Sequence, residues 1–240
     1  MQIVWTRVGG GADPLAAALA EHGHTIVEVP LYRLVPPADG GPLMAALRRL
    51  RDGGYDWVVF TSARAVDAVT ERMSEALAAA RIACVGPATA SRVQGAGYRA
   101  DLVPDAANAA ALASGLAARL RGRERILFPR AENAGPTVKA VLTAAGAVVD
   151  DPVAYRAEAD PEAPGRLAAA MAEGADAVVF ASGEAVAQYV ADGGTASVRC
   201  VCIGPVTAAA ARAAGFGDVR AAAAPTADAL EACLRAAPER

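Results

Sequence analysis

The chain has 240 residues, of which 54% are hydrophobic, 20% charged and 5% aromatic, with a formal net charge of −3. That is too apolar for a disordered chain and too evenly charged for a polybasic one. The mild acidity and few aromatics exclude a broad nucleic-acid footprint and base-stacking platforms.

In chain order, short apolar runs alternate with amphipathic ones. The expected strands are Ile3–Trp5, Thr25–Val29, Trp57–Phe60, Ile82–Val85, Asp101–Val103, Ile126–Phe128, Ala147–Val149, Ala177–Phe180, Cys200–Ile203 and Asp218–Arg220. Many are apolar at every position, as in parallel strands covered on both faces by helices. Helices are expected between them. Asp13-Pro14 reads as an N-cap followed by proline at the first helical position, with Leu15 and Leu19 inward and Gly23 as the stop. Pro42 opens a second helix striped by Leu43, Leu47 and Leu50, and Ser62 caps a third with Val66, Val69 and Met73. Leu112, Leu116 and Leu120 stripe another, as do Leu167 with Met171, Val186 with Val190, and Leu230 with Leu234. Such alternation implies parallel sheets with right-handed crossovers.

The chain repeats itself. Asp56-Trp-Val-Val-Phe-Thr-Ser-Ala-Arg-Ala-Val66 matches Asp176-Ala-Val-Val-Phe-Ala-Ser-Gly-Glu-Ala-Val186, and Val85-Gly-Pro-Ala-Thr-Ala90 matches Ile203-Gly-Pro-Val-Thr-Ala208. Ala96-Gly-Tyr98 matches Ala214-Gly-Phe216, Ile3–Arg7 matches Ile126–Arg130, and Tyr32-Arg33 matches Tyr155-Arg156. Two copies of one α/β unit account for this. The Pro-containing stretches 30–37 and 152–158 read as two crossings between lobes, which makes the first lobe discontinuous. Two sequential lobes split near residue 122 fit the repeat as well.

Four turns share one layout: a strand, small or polar residues, then a helix start. They are Phe60-Thr61-Ser62, Val85-Gly86-Pro87-Ala88-Thr89, Phe180-Ala181-Ser182-Gly183 and Ile203-Gly204-Pro205-Val206-Thr207. Small residues let a ligand approach the backbone, and helix N-termini attract anions. Carboxyl ends of strands are where open α/β sheets bind ligands. Each of Ser62, Thr89, Ser182 and Thr207 can equally be a plain helix cap. Arg7 and Arg130 end equivalent strands, either as anion ligands or as solvated side chains.

Other motifs are weaker. Gly9-Gly10-Gly11 lacks the Lys-Ser/Thr of a phosphate loop and the spacing of a dinucleotide fingerprint. His22 and His24 flank Gly23 with no metal partner nearby and read as helix-end contacts. Cys84, Cys200, Cys202 and Cys233 form no CxxC pair and read as core packing. Asp150-Asp151 and Asp160-Pro-Glu162 read as solvated charge, and Tyr155 is the most interesting proton donor or else a packing aromatic in a crossing. No apolar run reaches the roughly 20 residues of a membrane span. Nor does the start of the chain have a signal peptide's basic and apolar regions.

Val59-Phe-Thr-Ser62, Val85–Ala90, Gly97-Tyr-Arg-Ala-Asp-Leu-Val-Pro104, Val153-Ala-Tyr-Arg156, Val179-Phe-Ala-Ser182, Ile203–Ala208 and Pro225-Thr-Ala-Asp-Ala-Leu230 occur in this order over nearly the whole chain. Together they resemble the uroporphyrinogen-III synthase family of tetrapyrrole biosynthesis. The resemblance implies two flavodoxin-like lobes, each a parallel sheet flanked by helices, joined by a two-stranded connector. The first lobe would be discontinuous, 1–33 plus 160–240; the second would be 38–152, with connectors at 34–37 and 153–159. It implies closure of hydroxymethylbilane to uroporphyrinogen III with inversion of ring D and loss of water, without cofactor or metal. Tyr155 would be the catalytic proton donor. Arg7, Thr61, Ser62, Gly86, Pro87, Ala88, Thr89, Arg130, Ser182, Gly183, Gly204, Pro205 and Thr207 would face the substrate in a cleft. A cytoplasmic monomer, taking its substrate from the preceding deaminase and binding neither nucleic acid nor membrane, is expected. Ala181 and Val206 depart from the polar residues expected at those points. The competing reading is a non-catalytic two-lobe binding module for a small polyanion, and a weaker one is a nucleotide-using α/β enzyme.

Overall fold

The computed structural model describes residues 1–7 and 13–237; the Gly9-Gly10-Gly11 motif lies outside them. The chain divides into two compact units, Met1–Arg33 with Glu158–Arg240, and Leu34–Ala157. Both are doubly wound α/β structures.

In the discontinuous unit, β1 (Gln2–Trp5), α1 (Pro14–Glu21) and β2 (Thr25–Glu28) come from the start of the chain. β3 (Tyr32–Val35) then leads into the second unit. That unit is built from α2 (Gly41–Arg51), β4 (Trp57–Phe60), α3 (Ala63–Met73), β5 (Arg81–Cys84), α4 (Pro87–Gly95) and α5 (Ala109–Ala117). It continues through β6 (Arg125–Leu127), β7 (Arg130–Ala131), α6 (Thr137–Ala144) and β8 (Val148–Asp150). β9 (Val153–Ala159) leads back to α7 (Ala163–Ala172), β10 (Ala177–Phe180), α8 (Gly183–Ala191), β11 (Arg199–Cys202), α9 (Pro205–Ala213), β12 (Val219–Ala221) and α10 (Ala227–Arg235).

The first unit's sheet runs β12-β11-β10-β1-β2, all parallel, which counted within the unit is the flavodoxin order. The second unit's sheet runs β5-β4-β6-β8, also parallel, and Leu102 adds one parallel bridge to Ala83 outside β5. The spatial orders therefore match: β4 stands where β10 does, and β6 where β1 does. The expected strand Asp101–Val103 shrinks to that single bridge. Asp101 spends its carboxylate on the Ile82 amide at 2.8 Å, and Pro104 brings no amide to continue the ladder. A third sheet, β3-β9-β7, contains both connecting strands.

Alternation along the central strands sorts the cores. Val58 and Phe60 face a layer containing Leu47, Val66 and Leu77, whereas Trp57 and Val59 face Leu112, Leu116 and Leu142. Val178 and Phe180 face Leu167, Val186 and Tyr189, whereas Ala177 and Val179 face Leu19, Leu230 and Leu234. All these strand residues are buried, because helices cover both faces. One expected stripe is corrected: α8 buries Ala185, Val186 and Tyr189, and Val190 is 43% exposed. The Tyr189 ring packs edge-on against Phe180 at 5.2 Å, and a residue one position on points away at 100° per residue. Gly97 and Gly215 close equivalent helices at φ 88° and 91°, the left-handed region that glycine enters without cost. Cys84, Cys200 and Cys202 are buried free thiols and Cys233 is half-buried.

Candidate active site

The doubly wound order fixes where a site can form. In the second unit the chain leaves β4 toward β5 and leaves β6 toward β8, so connections diverge at the β4/β6 pair. The turns that follow are Thr61-Ser62 and Phe128–Arg130. In the first unit the same divergence falls at β10/β1, followed by Ala181-Ser182 and Thr6-Arg7. Thr6, buried, donates its hydroxyl to the Val179 carbonyl at 2.7 Å and ties these two strand ends together.

Ser62 and Ser182 are extended N-caps with nearly equal backbone angles, φ −157° and −153°. Each hydroxyl oxygen accepts the amide of the third residue on, Ala65 or Ala185, at 3.2 Å. Gly86 and Gly204 are N-caps without a side chain, each with proline at the first helical position. A Cβ on Gly86 would sit 2.8 Å from the Ala107 Cβ, so packing demands glycine there. A Cβ on Gly204 would meet nothing within 4 Å. Thr89 and Thr207 are not caps; both are buried in the first turns of their helices. Thr61 and Gly183 are half-buried, and Pro87, Ala88 and Pro205 are exposed or nearly so at their helix starts. Val206 is 83% exposed at the start of α9.

Tyr155 lies in β9 with its ring against the core layer that holds Val66 and Leu77. Its carbonyl accepts the Glu132 amide at 3.0 Å, and its hydroxyl lies 3.0 Å from the Ser62 oxygen. The connecting strand thus delivers the tyrosine to the switch-point turn 93 residues earlier in the chain. A cavity of about 150 Å³ beside it is lined by Tyr155, Arg64, Asp67, Glu71 and Leu34. Sequence reasoning misses the tyrosine–serine contact and the nearby Arg64, because nothing in the sequence pairs residues so far apart.

Both arginines are held in pairs rather than left to solvent alone. Arg7 bridges Asp13 at 3.1 Å, and Asp13 also caps α1 through the Leu15 amide at 3.0 Å. Arg130 donates to Asp151 at 2.9 Å and to the Ala131 and Glu132 carbonyls, and Lys139 reaches the same Asp151 at 2.6 Å. Burial pushes the Asp151 carboxyl up, but Lys139 and Arg130 outweigh it and hold the group below its ordinary value. A larger cavity of about 680 Å³ opens here, lined by Phe128, Arg130, Pro136, Lys139, Thr143 and Asp151.

The acidic residues expected as solvated charge are in fact paired. Asp150 accepts from Tyr55 at 2.6 Å and Arg49 at 2.8 Å, and Asp160 from Arg166 at 2.7 Å. His24 lies 2.6 Å and His22 3.8 Å from the Glu231 carboxylate on α10. Among the described residues, no three His, Cys, Asp or Glu side chains are placed to hold a metal ion, and no helix is long and apolar enough to cross a membrane.

Two α/β units, each with a parallel sheet and cap-bearing turns at its switch point, place the chain in the doubly wound class. The family model described as uroporphyrinogen-III synthase HemD matches residues 13–232, so the chain belongs to the uroporphyrinogen-III synthase family. A protein of Synechococcus elongatus named uroporphyrinogen-III synthase is 32% identical over 168 residues, 68% of this chain and 62% of that protein. The porphyrin biosynthesis protein HemD of Ruminiclostridium josui is 25% identical over 221 residues, 88% of this chain and 44% of that one. The matches thus span less than two thirds of either relative. Two solved structures share the fold over 96% of each chain. They are the uroporphyrinogen-III synthetase of Helicobacter pylori, with TM-score 0.64 and 14% identity, and a mutant uroporphyrinogen III synthase of Thermus thermophilus, with 0.54 and 20%.

Proposed function

We propose that this protein is a uroporphyrinogen-III synthase, a cyclising lyase that closes hydroxymethylbilane to uroporphyrinogen III with inversion of ring D and loss of water. The observation that carries the reading is the family match over residues 13–232. The chemistry agrees with the residues at hand. The substrate is a linear tetrapyrrole bearing eight carboxylates. Helix starts at Pro87-Ala88 and Pro205-Val206, with the turns at Ser62 and Ser182, offer backbone N–H donors and positive dipole ends to such an anion. In this reading Thr61, Thr89, Gly183 and Thr207 shape those turns, and Arg7 and Arg130 add positive charge at the equivalent strand ends.

The hydroxymethyl oxygen leaves as water and creates an electrophilic azafulvene. Spontaneous closure at the unsubstituted carbon then competes, giving the type I isomer. The protein's task is to hold the chain so that the substituted carbon of ring D is attacked instead, through a spiro intermediate; such selectivity is positional. Tyr155 is the proton donor to the leaving oxygen, since its backbone and hydroxyl are both held. No electrons change hands in the net reaction. Within the same proposal the enzyme is a cytoplasmic monomer that takes its unstable substrate from the preceding deaminase.

The test is a coupled assay from porphobilinogen and its deaminase, with oxidised products separated by isomer. Type III product supports the reading; type I alone overturns it. A polyanion that stabilises the protein against heat without any tetrapyrrole turnover would point to the binding module instead.

A further inference from the structure

We infer that Ser62 is a positioning residue that acts through Tyr155, aiming its proton and stabilising the phenolate left behind. The inference rests on the synthase reading above. The geometry comes from three contacts. The Ala65 amide, at the N-terminus of the 11-residue helix α3, donates to the Ser62 oxygen at 3.2 Å. That donation fills one lone pair of the hydroxyl oxygen. The Ser62 oxygen lies 3.0 Å from the Tyr155 oxygen. The Glu132 amide pins the tyrosine's own carbonyl at 3.0 Å. When the Tyr155 O–H turns to a substrate oxygen, its lone pair is left to accept from Ser62. The donors then run in one direction: helix amide to serine, serine to tyrosine, tyrosine to the leaving group.

The proton balance follows. As the C–O bond of the hydroxymethyl group breaks, both electrons stay on oxygen. The Tyr155 proton joins that oxygen, water departs, and the substrate becomes an azafulvenium cation. Tyr155 is now a phenolate. It faces the Ser62 O–H and, through it, the positive end of α3. Arg64, in the first turn of that helix, lines the same small cavity as Tyr155. A cation there works against the helix dipole, and Arg64 pairs with Asp67 one turn on at 3.8 Å. The proton shed when the attacked pyrrole regains its aromaticity returns to Tyr155 and closes the cycle.

The equivalent turn of the other unit shows that the cap alone does not require this. Ser182 caps α8 with the same 3.2 Å contact, but the position matching Arg64 is Glu184, whose carboxyl is held below its ordinary value by its own backbone amide and by the Ser182 hydroxyl. Tyr32 of β3, which matches Tyr155 in the repeat, donates its hydroxyl to the Glu184 carbonyl at 2.9 Å, whereas the Tyr155 hydroxyl meets the Ser62 hydroxyl.

The experiment is a double-mutant cycle on the full chain, with isomer-resolved turnover of hydroxymethylbilane. Ser62→Ala is expected to lower kcat about ten-fold with KM within about two-fold, the loss of one hydrogen bond to a developing charge. Ser62→Thr restores most of that loss. In a Tyr155→Phe background, Ser62→Ala costs less than about two-fold, because its partner is already gone. If Ser62→Ala unfolds the protein, Ser62→Asp keeps the cap, removes the donor, and is expected to lose kcat at least as strongly. Losses that multiply in the double mutant, or a kcat unchanged in Ser62→Asp, overturn the inference while leaving the synthase reading intact. A wild-type protein that makes no type III product overturns both.

Discussion

The β4–α3 turn and the β10–α8 turn are the same piece of backbone used twice. Both follow a wholly buried strand, WVVF or AVVF, and both end in a serine N-cap with a 3.2 Å bond to the third amide. They differ in what surrounds the cap. In one, the connecting strand β9 brings Tyr155 to the serine hydroxyl and the helix opens with Arg64; in the other, Tyr32 of β3 donates to the Glu184 backbone carbonyl at 2.9 Å and the helix opens with Glu184. The cores beneath differ too. Phe180 packs against Tyr189 and Phe216 at 5.2 and 5.7 Å, while Phe60 has Val69 and Tyr98 at the matching sequence positions. The two copies keep the same strand, cap and helix start, and the side chains around the cap differ.

The largest effect expected from breaking this comparison is on stability. Phe180→Ala removes the centre of the first unit's aromatic cluster and should cost about 3–5 kcal/mol in denaturant unfolding. A cost below about 1 kcal/mol would show that the cluster is not what consolidates that unit. Next comes Tyr155→Phe, which keeps the ring packing and removes the proton. Turnover should fall about ten-fold or more, with little change in melting temperature. An unchanged rate would reduce Tyr155 to a packing residue. Smaller again is the cap itself. Ser62→Ala and Ser182→Ala should each lose about 1 kcal/mol of stability, and nearly the same amount, because the two caps are geometrically equivalent. Unequal losses would mean that Tyr155 or Glu184 contributes to stability as well.

Acids placed on the helix starts separate stability from binding. Ala88→Asp and Val206→Asp put a carboxylate where the dipole favours it, so melting temperature should hold or rise. Yet each should raise KM about five-fold, since one added negative charge repels a polyacid by roughly 1 kcal/mol. Unaffected KM values would remove those helix starts from the binding surface.

The gentlest effect is the response to acid. Burial raises the Asp151, Asp218 and Glu231 carboxyls, but Lys139 and Arg130, Arg199 and Arg220, and Arg235 and His24 respectively outweigh it, leaving all three below their ordinary values of 3.8 for aspartate and 4.5 for glutamate. Groups depressed in the folded state stabilise it fully above those ordinary values, and that contribution is lost as pH falls through the lowered ones. Urea midpoints should therefore be flat in this respect above about pH 5 and decline below about pH 4. Asp151→Asn should flatten the decline; an unaltered slope would show that the Lys139–Asp151–Arg130 group is energetically neutral.

Much of this is legible in the sequence because burial writes itself in composition. Strands apolar at every position announce parallel sheets, Asp13-Pro14 and Ser62 announce helix starts, and the repeated turns announce where the strands end. The rest depends on contacts that composition does not encode. Val190 looks like part of a stripe, but Tyr189 takes the inward place through its ring contact with Phe180. α6 is hidden because Thr137 to Ala144 mixes lysine and threonines among its apolar residues and opens without a side-chain cap. β7 is two residues long and is defined only by its pairing with β9. The residue type of Arg7 and Arg130 says nothing of the aspartates that hold them. The Ser62–Tyr155 contact joins residues from a turn and a crossing strand, and only the fold brings them together.

The central claim is that this protein, and not the spontaneous reaction, decides which carbon of ring D forms the closing bond. It is tested most directly by letting the two compete: a fixed amount of hydroxymethylbilane closes in the presence of rising concentrations of the protein, and the oxidised isomers are quantified. The account predicts a type III fraction that climbs from the uncatalysed background toward the whole product as the protein outruns spontaneous closure. A type III fraction that stays at background at every protein concentration would contradict it.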